Sequence, residues 1–218
     1  MNKLFKEIRH GDIDAVQATI SKNTAVVNEV YSAKAPKKDI GQSPLQVAIK
    51  CGEFEIIELL LEKGADPDFM EDPALVPPGS VCMSILHDAI IGVFSTLCYK
   101  QYSHSEKYVS LVKKLLESGA DPNRKTSSEI FPIGTAVYQA EMIISRKNAY
   151  PDIQEITKER LFEVLDLLIQ YGGDKEEWLE QNFWGVSNRV HFFEEKMYNI
   201  NNIDVREPLR IVLEEYFA

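Results

Sequence analysis

The chain has 218 residues, 44% hydrophobic and 27% charged, a composition that supports a buried core and argues against disorder. Its 34 acidic and 24 basic residues give a formal net charge of −10, which argues against a general nucleic-acid binder, because neutralising phosphates needs surplus Lys and Arg. No apolar run approaches the ~18 residues of a membrane span. Met1–Glu7 lacks the apolar stretch of a secretory signal, and three cysteines (Cys51, Cys82 and Cys98) form an odd set without paired spacing. The expectation is a reducing, cytoplasmic setting, with delivery into a host cell without a cleavable signal left open.

In chain order, residues 2–28 read as a first helix–turn–helix unit. Leu4, Ile8, Gly11, Val16 and Ile20 align with Leu45, Ile49, Gly52, Ile57 and Leu61 at a constant offset of 41. An excursion from Glu29 to Gln42 follows, with Lys34, Lys37 and Lys38 against a lone Asp39 after the tyrosine. The second unit, 43–68, opens on Ser43 as N-cap with Pro44 at the first helical position. It closes on Leu59-Leu60-Leu61-Glu62-Lys63-Gly64-Ala65-Asp66-Pro67-Asp68, with Gly64 at the left-handed stop. A second excursion, from Phe69 to Met83, holds Pro73, Pro77, Pro78 and Gly79 and reads as a turn-rich loop.

Both pieces of the second unit recur. Ser84-Ile85-Leu86-His87-Asp88-Ala89 and Phe131-Pro132-Ile133-Gly134-Thr135-Ala136 repeat the opening. Leu115-Leu116-Glu117-Ser118-Gly119-Ala120-Asp121-Pro122-Asn123 repeats the close, and Leu167-Leu168-Ile169-Gln170-Tyr171-Gly172-Gly173-Asp174 is a weaker copy. These define units 84–123 and 131–174, separated by a short excursion from Arg124 to Ile130. The turn residues Asp66, Asp68, Asp121 and Asn123 are expected to bond their local backbone rather than a metal.

The two motifs, in this order, resemble the ankyrin repeat, whose signature includes Thr-Pro-Leu-His-x-Ala and a period of about 33 residues. The resemblance covers roughly residues 2–174. It implies an all-α helix–turn–helix solenoid with short hairpin-like excursions. His87 falls at the family's histidine position, where it would tie a loop to neighbouring backbone.

The spacing departs from the family. Gly64, Gly119 and Gly172 are 55 and 53 residues apart, and the third and fourth units carry about 14 and 20 extra residues between opening and close. Apolar residues continue helically through these inserts, so lengthened first helices are expected, broken near Ser103 and at Pro151. Phe94, Leu97, Met142 and Ile143 should then pack together. From Asp174 on, the repeats stop. That stretch holds eight aromatic residues and ten acids against five bases, and 176–218 is expected to form a helical cap with helices near 176–182, 189–198 and 206–217.

The resemblance implies a non-enzymatic protein-binding module. Mapping the family's exposed first-helix positions gives Lys6 and Arg9, Val47 and Lys50, Asp88 and Ile91, and Thr135 and Tyr138. The excursion tips add Tyr31, Lys34, Lys37, Lys38, Phe69, Met70 and Arg124. The expected partner is another protein, with no nucleic acid, membrane, cofactor or metal, and the free chain is expected to be a monomer. Two roles are open: an inhibitor or immunity-type protein that captures a basic enzyme, which the acidic charge supports, or an effector or adaptor. The competing reading is a thiol-dependent enzyme using Cys51 with His10, whose helices would pack about 8–10 Å apart. Neither an orienting group nor an oxyanion motif accompanies that pair. Cys82, Cys98, His104 and His191 lack zinc-ligand spacing.

Overall fold

The computed structural model describes residues 3–32, 39–146, 148–179, 211–213 and 216. Helices α1 (Lys3–Arg9) and α2 (Ile13–Lys22) form a pair, and a 3-10 turn at Thr24–Asn28 follows α2. Three more pairs follow: α3 (Pro44–Cys51) with α4 (Phe54–Glu62), α5 (Ile85–Cys98) with α6 (Tyr102–Glu117), and α7 (Pro132–Ile144) with α8 (Gln154–Gln170). A short α9 spans Lys175–Leu179. The first helices α1, α3, α5 and α7 pack side by side in a row, and each packs on its own second helix. The described residues hold no strand, and the fold is all-α. The excursions have hairpin character. Tyr31 N–H donates to Gln42 C=O and Gly41 N–H to Tyr31 C=O across the first, Met70 and Ser84 form an antiparallel bridge across the second, and Thr126 N–H donates to Ile130 C=O in the third.

The core is continuous along this row because the aligned apolar positions point inward, Leu61 alone being half-buried. Leu4, Ile8, Val16 and Ile20 are buried, as are Leu45, Ile49 and Ile57 at the matching positions. Gly11 and Gly52 hold the left-handed conformation at the turn inside the first two pairs, with φ of 66° and 74°. There L side chains are strained and glycine is not.

The third pair is longer, and the extra length is shared. Its inner turn uses Lys100, at φ 57°, where the second pair uses Gly52. The hydrogen bonds match. Gly52 N–H and Glu53 N–H donate to Ile49 and Ala48, while Lys100 N–H and Gln101 N–H donate to Leu97 and Thr96. Measured from Ala48 and Ala89 to that turn, and from the turn to Gly64 and Gly119, each helix of the third pair has gained seven residues. Seven residues are close to two α-helical turns, so the apolar face returns to the same direction. This corrects the expected lengthening of the first helix alone. The break lies at 99–101, and Ser103 is inside α6. In the fourth pair α7 already ends at Ile144, ahead of the expected break at Pro151, and Pro151 instead opens the 3-10 turn Pro151–Ile153 that leads into α8.

Phe94, Leu97 and Ile143 are buried in one core, as expected, but Met142 is 36% exposed and stands outside it. Its neighbours Glu141 and Ile143 occupy the inward positions of α7. Of the expected cap, α9 overlaps the first helix, the second (189–198) lies outside the described residues, and 211–213 and 216 are helical. Val212 and Leu213 are buried, and the Tyr216 ring packs on Phe162 of α8 at 4.9 Å between centroids.

Candidate protein-binding face

Three side chains clamp successive turns together on the side where each pair ends. Asn28 Nδ2 donates to Gly64 C=O at 2.9 Å while its Oδ1 accepts from Asp66 N–H at 2.9 Å. Asn123 repeats both bonds two junctions further on, to Gly172 C=O at 2.8 Å and Asp174 N–H at 2.7 Å. Between them, Asp68 lacks a donor. It accepts from Asp121 N–H at 3.0 Å and binds the Arg124 guanidinium. The turn residues therefore tie neighbouring units together as well as bonding locally, as Asp66 Oδ1 does with Asp68 N–H and Asp121 Oδ1 with Asn123 N–H.

The next layer ties first helices to excursions. His87 is buried with both ring nitrogens engaged. Nε2–H donates to Ile130 C=O at 3.1 Å, and the Ser84 hydroxyl donates to Nδ1 at 2.8 Å. Burial lowers its pKa to about 4, so the ring is neutral near pH 7. Gln46, 41 positions earlier, makes the matching contact to Met83 C=O at 3.4 Å.

The expected binding residues divide sharply. Val47 and Tyr31 are core residues at 0% and 1% exposure, and Tyr31 meets Phe5 edge-on. Asp88 and Thr135 are buried, whereas Ile91, Tyr138, Phe69 and Met70 are half-buried and Lys6 is exposed. Arg124 is committed to Asp68. Lys34, Lys37 and Lys38 lie outside the described residues.

The remaining cations of the stripe hold the excursions. Arg9 Nε donates to Asp39 at 2.6 Å, and Arg9 also approaches the Cys51 sulfur at 3.7 Å. Lys50, at the position matching Arg9, lies 3.3 Å from Glu71 and 3.4 Å from Asp88. Around it, Gln42 Nε2 donates to Glu71 Oε1 at 3.0 Å, Met83 N–H donates to Glu71 Oε2 at 3.0 Å, and Gln46 Nε2 donates to Asp88 Oδ2 at 2.6 Å. Burial, opposed by Lys50 and Gln46, pushes the Asp88 carboxyl up to about 6. Sequence reasoning missed Asp39, Gln42, Gln46 and Glu71. The available signal was the pairing of Arg9 with Lys50 at offset 41, each followed by an acid in its neighbouring excursion.

Nothing in this geometry supports the Cys51–His10 pair. The His10 Nδ1–H donates to its own helix at Lys6 C=O, 2.6 Å away, and the exposed ring is held there. Among the described residues no cluster of three or more His, Cys, Asp or Glu is placed to hold a metal. No helix there is long and apolar enough to cross a membrane.

Residues 40–72 match the model of the ankyrin repeat family. The chain carries an ankyrin repeat. The matched segment runs from the end of the first excursion through α3, α4 and the Gly64 turn to the start of the second excursion, and so contains Gln42, Gln46, Lys50 and Glu71. No curated protein matches the chain. Ankyrin repeats are modules that mediate binding between proteins.

Proposed function

We propose that this protein is a non-enzymatic binding module that takes a partner protein on the face formed by its first helices and excursions, and that the four helix pairs act as one repeat stack. The observation that carries this reading is the ankyrin repeat itself, set in a continuous row of first helices whose excursions are pinned by Arg9–Asp39 and Lys50–Glu71. Pinned excursions lower the ordering cost of binding. The half-buried Ile91 and Tyr138, with exposed Lys6, supply the mixture of apolar, aromatic and charged groups typical of interfaces. The net charge of −10 favours capture of a basic partner, the inhibitor-type role, over an adaptor role.

The test starts from partner identification by affinity capture and cross-linking, followed by association and dissociation rates for surface variants. Ile91→Asp with Tyr138→Ala should weaken the complex at least about tenfold while leaving the unfolding curve in place. An unchanged affinity overturns the proposed face. Lys34→Glu, Lys37→Glu and Lys38→Glu together separate the roles by sign. Against a basic partner the triple change should be neutral or speed capture, and against an acidic patch it should slow it.

A further inference from the structure

We propose that Glu71 and Asp88 form a seat for a basic side chain, occupied in the free protein by its own Lys50 and taken over in the complex by a lysine or arginine of the partner. The inference rests on the binding-face reading above. Its first support is a charge imbalance. At the first junction one guanidinium, Arg9, meets one carboxylate, Asp39. At the matching second junction one ammonium, Lys50, is shared by two carboxylates at 3.3 and 3.4 Å. Both carboxylates are buried, with side chains 7% and 6% exposed, whereas the Lys50 side chain is 34% exposed. The cation is thus the outer member, and it can swing into solvent on its flexible stem without disturbing the core.

The second support is independent of charge. Gln42 and Gln46 are buried, and the side-chain oxygen of each has no hydrogen-bond partner. The nitrogens of the same two amides are held by Glu71 and Asp88, so each unpartnered oxygen shares an amide group with a nitrogen bonded to the cluster. The cluster has more acceptors than the donors of a single ammonium can serve. Buried acceptors without donors are costly. What the cluster lacks is positive charge with several N–H groups, and a guanidinium brings five. An incoming arginine would meet both carboxylates, while Lys50 would move outward to solvent or to an acid on the partner. The exchange also explains how an acidic protein would select a basic partner at one defined point rather than by overall charge.

The experiment needs no partner. N-acetyl-L-arginine amide is titrated into the full-length protein, with the side-chain amide signals of Gln42 and Gln46 and the Lys50 ammonium followed by NMR. N-acetyl-L-citrulline amide serves as the uncharged control, and potassium chloride is matched in ionic strength. The arginine probe should shift all three signals with saturation, and neither control should. Lys50→Met should tighten the probe about tenfold, because the resident competitor is gone. Glu71→Gln should weaken it by a similar factor. Absence of saturable shifts, equal shifts from potassium chloride, or a Lys50→Met protein that folds without gaining affinity each overturns the seat. If Lys50→Met does not fold, Glu71→Gln and Asp88→Asn in the presence of Lys50 decide, and unchanged probe binding in both overturns it. Once a partner is in hand, undiminished binding to Glu71→Gln refutes the seat but spares the binding face, whereas indifference to Ile91→Asp with Tyr138→Ala refutes the face.

Discussion

The Tyr108 hydroxyl donates to the Ile49 carbonyl at 2.6 Å, joining α6 to the end of α3 across 59 positions of sequence. It does so because α5 and α6 are two turns longer than α3 and α4. The overhang places Tyr108 beside the C-terminus of α3, where the Ile49 carbonyl already accepts from the Gly52 N–H and takes the hydroxyl on its second lone pair. The ring passes over Gly92 of α5, where an added Cβ would lie 2.4 Å from the Tyr108 Cε1. It meets Phe54 edge-on at 5.0 Å. One side chain thus joins α6 to three other helices, α3, α4 and α5, at the step between short and long units.

Gly92→Ala tests this step. A glycine inside a helix ordinarily costs about 1 kcal/mol relative to alanine, so propensity alone makes the change stabilising. The clash with a buried ring reverses the sign, and the variant should be destabilised by about 1–3 kcal/mol in urea unfolding. Tyr108→Phe should cost about 1 kcal/mol, the worth of one hydrogen bond. A Gly92→Ala protein more stable than wild type would show that the ring is not held there.

The neighbours His87 and Asp88 oppose each other in pH dependence. The His87 pKa is lowered from 6.5 to about 4, so between those values the unfolded chain binds a proton the folded chain refuses, and stability falls as pH falls. For Asp88 the value is raised from 3.8 to about 6, so the folded chain binds the extra proton and stability rises as pH falls through that window. Asp88→Asn removes the second effect and leaves the first. Relative to wild type, the variant should lose about 3 kcal/mol between pH 7 and pH 4, read from unfolding curves at several pH values. Parallel stability profiles would refute the assignment.

The turn clamps predict unequal junctions. Asn123→Ala removes a donor and an acceptor that bind Gly172 and Asp174, and should cost about 1–2 kcal/mol. Asn123→Asp keeps only the acceptor and should fall between that variant and wild type. Equal stability of all three proteins, measured by thermal unfolding at constant buffer, would show that the clamp contributes nothing.

The inserted turns of α5 and α7 are distinguished by two truncations. Phe94 is buried, and Phe94→Ala should cost about 3–5 kcal/mol. Met142→Ala, at an exposed position, should stay within about 0.5 kcal/mol of wild type. Reversed magnitudes would mean that the two side chains exchange places in the core.

The repeat is legible in local signals of the chain. Ser43 and Pro44 start α3, Gly64, Gly119 and Gly172 stop second helices, and the offset of 41 between the first two units marks their inward positions. These signals are local, since caps and left-handed turns act within a few residues of themselves. Two features needed the tertiary structure. The first was how 14 extra residues divide into seven and seven. Lys100 carries no glycine signal at its left-handed turn, and the division is decided by the return of both apolar faces to a common core after two turns. The second was the fate of the expected stripe. Lys50 and Asp88 look alike in sequence as exposed charges, yet Asp88 is buried and Lys50 covers it, because Glu71, Gln42 and Gln46 converge there from the excursions and α3. A side chain's exposure depends on what packs over it, and Gln46, which bonds Asp88, comes from 42 positions away.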